Sequence, residues 1–363
     1  MNNAENIGKR ALLTVSEWTA RRVHPATILA CFIIASLLAT PAMAQKDGAP
    51  ELTPEASQAI DKGLKFILST QHEDGSWSSD GKGSHAVACT SLALMAFMAK
   101  AEFPGFGPHG EQLDRGMKWL LKEANKRPSG YIGTVMYEHG FATLALSELW
   151  GMTRDPDDDD AVQKALEKAV EVILRSQNPG GGWRYQPQAD GGEDLSCTMT
   201  VFHALASARQ AGIAVPNETI TKMVEYLKSV RDSQSGGFTY DGRPLKLSPA
   251  CTAGGTYVAQ LAGQRDTELV NDALRYLKSL SPGIFGTGTR YFYYSHYYAI
   301  QAMVQAGDEE YAKWYPQIRD ALIGMQNTQG AWGRAQPSAL SYETPMAIII
   351  LATPHRYIPI YQR

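Results

Sequence analysis

Apolar residues recur at helical spacing in alternating stretches of two kinds. The first kind shows one apolar face and one charged face: Ile60, Leu64, Ile67 and Leu68; Leu113, Met117, Leu120 and Leu121; Leu166, Val170, Ile173 and Leu174; Leu269, Ala273, Tyr276 and Leu277. Apolar residues at i, i+4, i+7 and i+8 with Lys and Glu between them predict amphipathic helices that each cover a core on one side. The second kind is apolar or small on nearly every face: His85 to Ala99, Tyr137 to Leu149, Asp194 to Ala208, Ala250 to Leu261, Tyr293 to Val304 and Tyr342 to Leu351. Such helices are predicted to be buried all round. Start signals agree, with Thr53 before Pro54, Asn217 ahead of Glu218, and Asp157 to Asp160 ahead of Ala161.

A glycine separates each amphipathic stretch from the apolar one that follows. Three of these junctions share one pattern: Gln71, Gly75, Trp77; Gln177, Gly181, Trp183; and Gln326, Gly330, Trp332. Three are degenerate: Asp232, Gly236, Phe238; Ser279, Gly283, Phe285; and Gly130 with Tyr131 and Ile132. The glycines are 55, 51, 55, 47 and 47 residues apart, the signature of a repeat array. Six two-helix repeats, each with an outer and an inner helix, close into a double ring. The expected fold class is therefore all-α, a single (α/α)6 toroid spanning residues 54–363.

The N-terminus is of another character. Basic Lys9, Arg10, Arg21 and Arg22 precede an apolar run from Ala26 to Ala39, and Pro41-Ala42-Met43-Ala44 ends in a small-x-small pattern. Residues 1–44 are expected to be a signal peptide cleaved after Ala44, followed by a short linker over residues 45–53. The product would be exported to the periplasm or beyond, with no stable membrane span, because the apolar run is too short to cross a bilayer comfortably. Removing four basic and two acidic residues with it takes the formal net charge from −3 to −5, which offers no basic footprint for nucleic acid. Cys89, Cys197 and Cys251 remain, too few and odd in number for a disulfide framework.

The Gln-x-x-x-Gly-x-Trp segments resemble the QW repeats of squalene and hopene cyclases, and the six-repeat ring is similar to those cyclases and to the β subunits of protein prenyltransferases. The resemblance implies that the glutamine and tryptophan of each motif brace the helix ends. It also implies an apolar, isoprenoid-type ligand in the ring cavity, and acid-catalysed chemistry if a carboxylic acid faces that cavity. The cyclase acid motif Asp-x-Asp-Asp has a match in Asp155-Pro156-Asp157-Asp158, but that segment opens an outer helix, where acids cap and complement the dipole. Glu193-Asp194-Leu195-Ser196 opens an inner helix, with Asp194 at the first acid and Ser196 and Cys197 in place of the others. Prenyltransferases hold zinc through Asp, Cys and His. Here Asp194 and Cys197 stand three apart, with Cys251, His203 and His296 as candidate additions and buried structural thiols as the plainer reading; no cofactor and no metal is assigned.

All six inner helices should start at the same end of the ring, where their partial positive charges favour carboxylates or an anion. The groups there are His85; Glu138 with His139; Glu193 with Asp194; Ser248 near Cys251; Tyr294 with His296; and Glu343. Asp194, Glu193, Glu138, His296 and Glu343 are the candidate catalytic residues, with simple helix capping as the competing role. Arg184, Arg243, Arg290 and Arg334 in the turns are candidate clasps for a phosphate head group. Within Tyr291 to Tyr298, Tyr293 and Tyr297 share one helix face and Tyr294 shares another with Tyr298, and Tyr293, Tyr294 and Tyr297 are candidate ligand contacts. Two other functions fit the same residues. One is a non-catalytic repeat scaffold for a protein partner; the other is a carbohydrate-active ring using two of Glu138, Asp194 and Glu343.

Overall fold

The computed structural model describes residues 50–242, 247–280, 291–333, 340 and 342–362. The signal-peptide segment, Arg243, Arg290, Arg334 and the turn holding Gly283 and Phe285 lie outside the described residues. Helices come in pairs: α1 (Pro54–Ser69) with α2 (Ala86–Met98), α3 (Gly110–Ala124) with α4 (Met136–Leu149), α5 (Pro156–Arg175) with α6 (Leu195–Gln210). Then follow α7 (Asn217–Ser229) with α8 (Pro249–Leu261), α9 (Glu268–Ser279) with α10 (Phe292–Ala306), and α11 (Asp308–Met325) with α12 (Glu343–Leu351). Among the described residues there are no β-strands, only the bridges Arg231 with Phe238 and Thr239 with Leu247.

The six inner helices form a closed ring. Helix α2 packs on α4, α4 on α6, α6 on α8, α8 on α10, α10 on α12, and α12 returns to α2. Inner helices also lie against the outer helix of the following repeat: α2 on α3, α4 on α5, α8 on α9, α10 on α11, and α12 on α1. Because each contact crosses a repeat boundary, no repeat buries its apolar surface alone. Cap chemistry follows the sequence in part. Thr53 caps α1 by accepting from the Ala56 N–H at 3.2 Å, and Asp155 caps α5 by accepting from the Asp157 N–H at 3.0 Å. Asn217 is the first residue of α7 rather than its cap, since Pro216 already turns the chain.

The junctions explain how the layers are fastened. Each motif glutamine donates twice through Nε2, once to its own glycine carbonyl and once to the next outer helix. Gln71 reaches Gly75 O at 2.9 Å and Gln112 O at 2.8 Å; Gln177 reaches Gly181 O at 2.8 Å and Thr219 O at 2.9 Å. Gln326 reaches Gly330 O and Ala59 O, both at 2.8 Å, and so ties the last repeat to the first. The tryptophan indoles donate to carbonyls in the last turn of their own outer helices, Ile67, Ile173 and Leu322, where the regular helical ladder is running out. Their backbone N–H groups donate to inner-helix hydroxyls, Thr90, Thr198 and Thr344. Glycine is required at these turns for two reasons: at Gly330 φ is +89°, and a Cβ there would sit 2.6 Å from the Lys62 carbonyl of α1.

Repeat 2 has neither glutamine nor tryptophan at its junction. The Ile132 N–H donates to His139 Nδ1 at 3.1 Å, and His139 Nε2 lies 3.0 Å from Ala169 O on α5. Since Nδ1 accepts, Nε2 carries the proton and donates to Ala169. One imidazole thus takes the role of the threonine and the cross-repeat role of the glutamine. His139 is a fastening of the ring, not a group of its mouth, and burial holds its pKa down to about 4.

Candidate functional site at the inner-helix N-termini

Turn backbones are stitched to neighbouring inner helices at this end. The Met136 N–H of α4 donates to Tyr185 O, the Leu195 N–H of α6 donates to Tyr240 O, both at 2.8 Å, and the Leu340 N–H donates to Ser78 O at 2.8 Å. Tyr185 and Tyr240 stand two residues after Trp183 and Phe238, so the same register that fastens the ring also carries two phenols to its rim. Their hydroxyls meet at 2.6 Å.

Asp194 caps α6. Its Oδ1 accepts from the Cys197 N–H at 2.8 Å and the Ser196 hydroxyl at 2.7 Å, while Oδ2 is buried with no hydrogen-bond partner at close range. Burial raises its pKa above the ordinary carboxylate value, and the hydrogen bonds, the Arg184 charge and the Tyr240 hydroxyl offset only part of that. Ser196 also meets the Tyr137 hydroxyl. From across the ring, the Tyr294 hydroxyl donates to Ser196 O at 3.0 Å and lies 2.8 Å from Thr200 Oγ1, which the Tyr298 hydroxyl also meets at 3.1 Å. Burial pushes the phenols of Tyr137, Tyr240, Tyr294 and Tyr298 above their usual pKa, so all four stay neutral. Between α4, α6 and α10, neutral phenols, two further hydroxyls and one carboxylate thus converge in a single network.

The other candidates divide. Arg184 is exposed at the rim, its guanidinium 5.9 Å from the Tyr185 ring centre. Tyr294 joins the Ser196 and Thr200 network. Glu193 turns back to accept from the Gly180 N–H at 2.9 Å. Glu138 accepts from the Thr134 N–H at 2.6 Å and the Thr134 hydroxyl at 2.9 Å, with His85 Nδ1 3.6 Å away. Glu343 lies against Gly333 and the Tyr293 phenol, whose pKa rises to about 12 through burial and the Glu343 charge. His296 is fully buried against the rings of Phe292 and Trp314, centroids 4.6 and 6.3 Å away, on the side of outer helix α11. Its pKa is held down to about 3 by burial. Tyr297 is buried deeper, its hydroxyl 2.5 Å from that of Tyr361.

Counting back from the fastening residues Thr90, His139, Thr198, Thr252 and Thr344 makes the division regular. Cys89, Glu138, Cys197, Cys251 and Glu343 share the position just before them, and this position faces the turns: Cys89 Sγ donates to Leu340 O at 3.1 Å and Cys197 Sγ to Arg184 O at 3.0 Å. Asp194 stands three residues earlier, in register with Ala86, Val135, Ser248 and Leu340, and is the only carboxylate there. Burial raises the pKa of all three thiols, and among the described residues no three His, Cys, Asp or Glu side chains converge as a metal site. Sequence reasoning missed Tyr137, Tyr185, Tyr240, Ser196 and Thr200. The shared register of Tyr185 and Tyr240 behind their turn aromatics was the signal available.

Deeper in the ring Tyr257, Tyr297, Tyr298 and Tyr361 surround His203, with ring centroids 5.0 to 6.2 Å from it. Tyr361 belongs to the C-terminal strap, Tyr357 to Gln362, which docks at the C-terminal ends of the inner helices. There the Tyr257 hydroxyl donates to Ile360 O at 3.0 Å and Gln305 Nε2 to Gln362 O at 2.7 Å.

No protein-family model matches the chain. Part of it, 151 residues or 40% of its length, is 25% identical to lanosterol synthase of Aspergillus fumigatus, and the match spans about a fifth (19%) of that protein. Among solved structures, the type II terpene cyclase MstE from Scytonema is similar over 86% of this chain and 100% of its own, with TM-score 0.56 and 17% identity. The GH76A α-1,6-mannanase from Salegentibacter is similar over 83% of this chain and 99% of its own, with TM-score 0.60 and 10% identity. At these identities the solved structures speak to fold, and a shared ring hosts unrelated chemistries. In fold, the chain is a terpene-cyclase-like α/α toroid, an architecture that the GH76 mannanase shares.

Proposed function

We propose that a pit opens between α4, α6 and α10 to bind an apolar, isoprenoid-type molecule and that Asp194 is the acid that acts on it. The observation that carries this reading is the state of Asp194: a buried carboxyl with one oxygen that no short hydrogen bond takes up, a raised pKa, and the Tyr137 and Tyr240 phenols near enough to feel its charge. Protonating an alkene needs a carboxylic acid that holds its proton until the substrate arrives, and the cation so formed is stabilised by ring faces such as those of Tyr137 and Tyr294. Arg184 at the rim, joined by Arg243, Arg290 and Arg334 if their turns approach it, would suit an anionic head. A variant of MstE has been solved with geranylgeranyl dihydroxybenzoate as substrate, and that apolar chain is the class of molecule we expect here.

The test is to incubate the purified protein with squalene, geranylgeraniol and a polyprenyl phosphate and to analyse the extract by mass spectrometry. Cyclised product of unchanged mass, lost in Asp194→Asn while the polyene still binds, is the expected result. Neither binding nor product from any of the three would end this reading. It would favour a ring filled by its own side chains and serving as a scaffold, to which the Tyr257, Tyr297, Tyr298 and Tyr361 cluster lends support. A two-carboxylate glycan hydrolase is less well supported, because Glu138 is spent on Thr134. Release of mannose or its oligomers from an α-mannan would reverse that order.

We also propose that the chain is exported and loses residues 1–44. N-terminal sequencing of the protein from an exporting host should begin at Gln45; recovery with Met1 intact would refute it.

A further inference from the structure

The lower end of the ring, where the inner helices finish, carries features that the upper pit does not use. A groove of about 430 Å3 runs between the last turns of α6 and α8, the start of α7 and the C-terminal strap. That volume falls within the ordinary range for small-molecule sites. Leu205, Ile220, Leu261 and Ile360 give it apolar walls, and Arg209 and Arg265 reach it from different helices. No carboxylate lines it among the described residues. Arg265 is held in place from behind: its Nη2 donates to Gln305 Oε1, and the same amide donates through Nε2 to Gln362 O of the strap. Two cations at the edge of an apolar trough, one of them pre-positioned, match a molecule with a hydrocarbon body and an anionic head.

We infer that this groove is a second binding site, distinct from the pit at the other end, which takes a single-chain amphiphile with a carboxylate or phosphate head. The chain lies along Leu205, Ile220, Leu261 and Ile360, and the head meets Arg209 and Arg265. Ile360 and Gln362 form one wall, so the bound molecule also contacts the strap. The inference does not depend on the function proposed for Asp194.

Isothermal titration of the full-length protein with dodecyl phosphate, dodecanoate and dodecanol, all below micellar concentration, tests it. One saturable site for dodecyl phosphate or dodecanoate is expected, with dodecanol at least tenfold weaker; the better anion identifies the head group. Arg209→Gln with Arg265→Gln should weaken the anion by roughly tenfold or more, as expected for loss of hydrogen bonds to a charged group. Both side chains are exposed, so the fold should survive, with only a small fall in melting temperature from the bond that Gln305 loses. Asp194→Asn should leave the titration unchanged. Equal binding of dodecanol, no saturable site, or an anion site that survives the double arginine change would overturn the inference. So would loss of the anion site in Asp194→Asn, because the probe would then be in the upper pit.

Discussion

Repeats 2 and 3 join the same two layers with different side chains. In repeat 3 three residues share the work: Gln177 reaches Thr219 O of the next outer helix, Trp183 caps α5 through Ile173 O, and Thr198 receives the Trp183 N–H. In repeat 2 His139 alone receives the turn N–H and reaches the next outer helix at Ala169 O. What persists is a pair of bonds, one from the turn to the inner helix and one across the repeat boundary. An imidazole supplies both because it carries an acceptor and a donor on one ring. Its drawback is titration, which an amide and a hydroxyl avoid.

The largest break in this comparison is Trp183→Ala. A fully buried indole leaves a cavity, and its bond to the Ile173 carbonyl is lost with it, so a loss of about 3–5 kcal/mol is expected in urea unfolding. Against a typical total of roughly 5–15 kcal/mol, the variant should be marginal at room temperature. A loss under about 1 kcal/mol would mean that the tryptophan junctions do not hold the ring.

The next effect is in pH. His139 has its folded pKa depressed to about 4 from an ordinary 6.5, so the unfolded chain binds the extra proton first. The stability it confers is complete above 6.5 and is lost as pH falls towards 4, by roughly 3 kcal/mol. Glu148, buried beside Ser207, has its pKa raised to about 7 from 4.5 and works in the opposite sense, losing stability as pH rises from 4.5 to 7. The difference between wild type and His139→Gln isolates the histidine, since glutamine also offers one acceptor and one donor. The wild-type stability minus that of the variant should fall by roughly 3 kcal/mol between pH 6.5 and 4, with Glu148 common to both curves. Parallel curves would show that His139 is protonated in the fold and that its bonds are assigned wrongly.

A smaller effect sharpens the contrast within the intact junctions. Gln177→Ala and Gln326→Ala each remove two hydrogen bonds and should each cost about 1–2 kcal/mol. Of the two glutamines, Gln326 is the one that joins the last repeat to the first, through Ala59 O, so its loss should raise amide exchange in α1 while Gln177→Ala leaves α1 protected. Equal protection of α1 in both would show that helix packing alone closes the ring.

The repeat spacing, the six inner helices and the three intact junctions were legible because they rest on local periodicity and on turns only glycine can make. The inner helices predicted to begin at His85, Tyr137, Asp194, Ala250, Tyr293 and Tyr342 begin within one residue of those positions. His139 was misread as a mouth group because nothing local shows that an imidazole has replaced a glutamine on another element. The C-terminal strap was not anticipated either: Tyr357 to Gln362 has no helical period, and its place depends on Tyr257, Tyr297 and Gln305, between 52 and 105 residues away in sequence. At the mouth, residue types were read correctly but directions were not. Glu138 and Glu193 serve the turns, and the register that turns them away becomes visible only when the fastening residues are known.

That same register singles out Asp194, and the account turns on whether the pit beside it receives a ligand. The most direct measurement is native mass spectrometry of the protein purified from an exporting host, before and after incubation with squalene and a polyprenyl phosphate. The account predicts a stoichiometric adduct of isoprenoid mass that is weakened by Tyr294→Ala and unaffected by Arg209→Gln. A bare protein mass under every condition would contradict it.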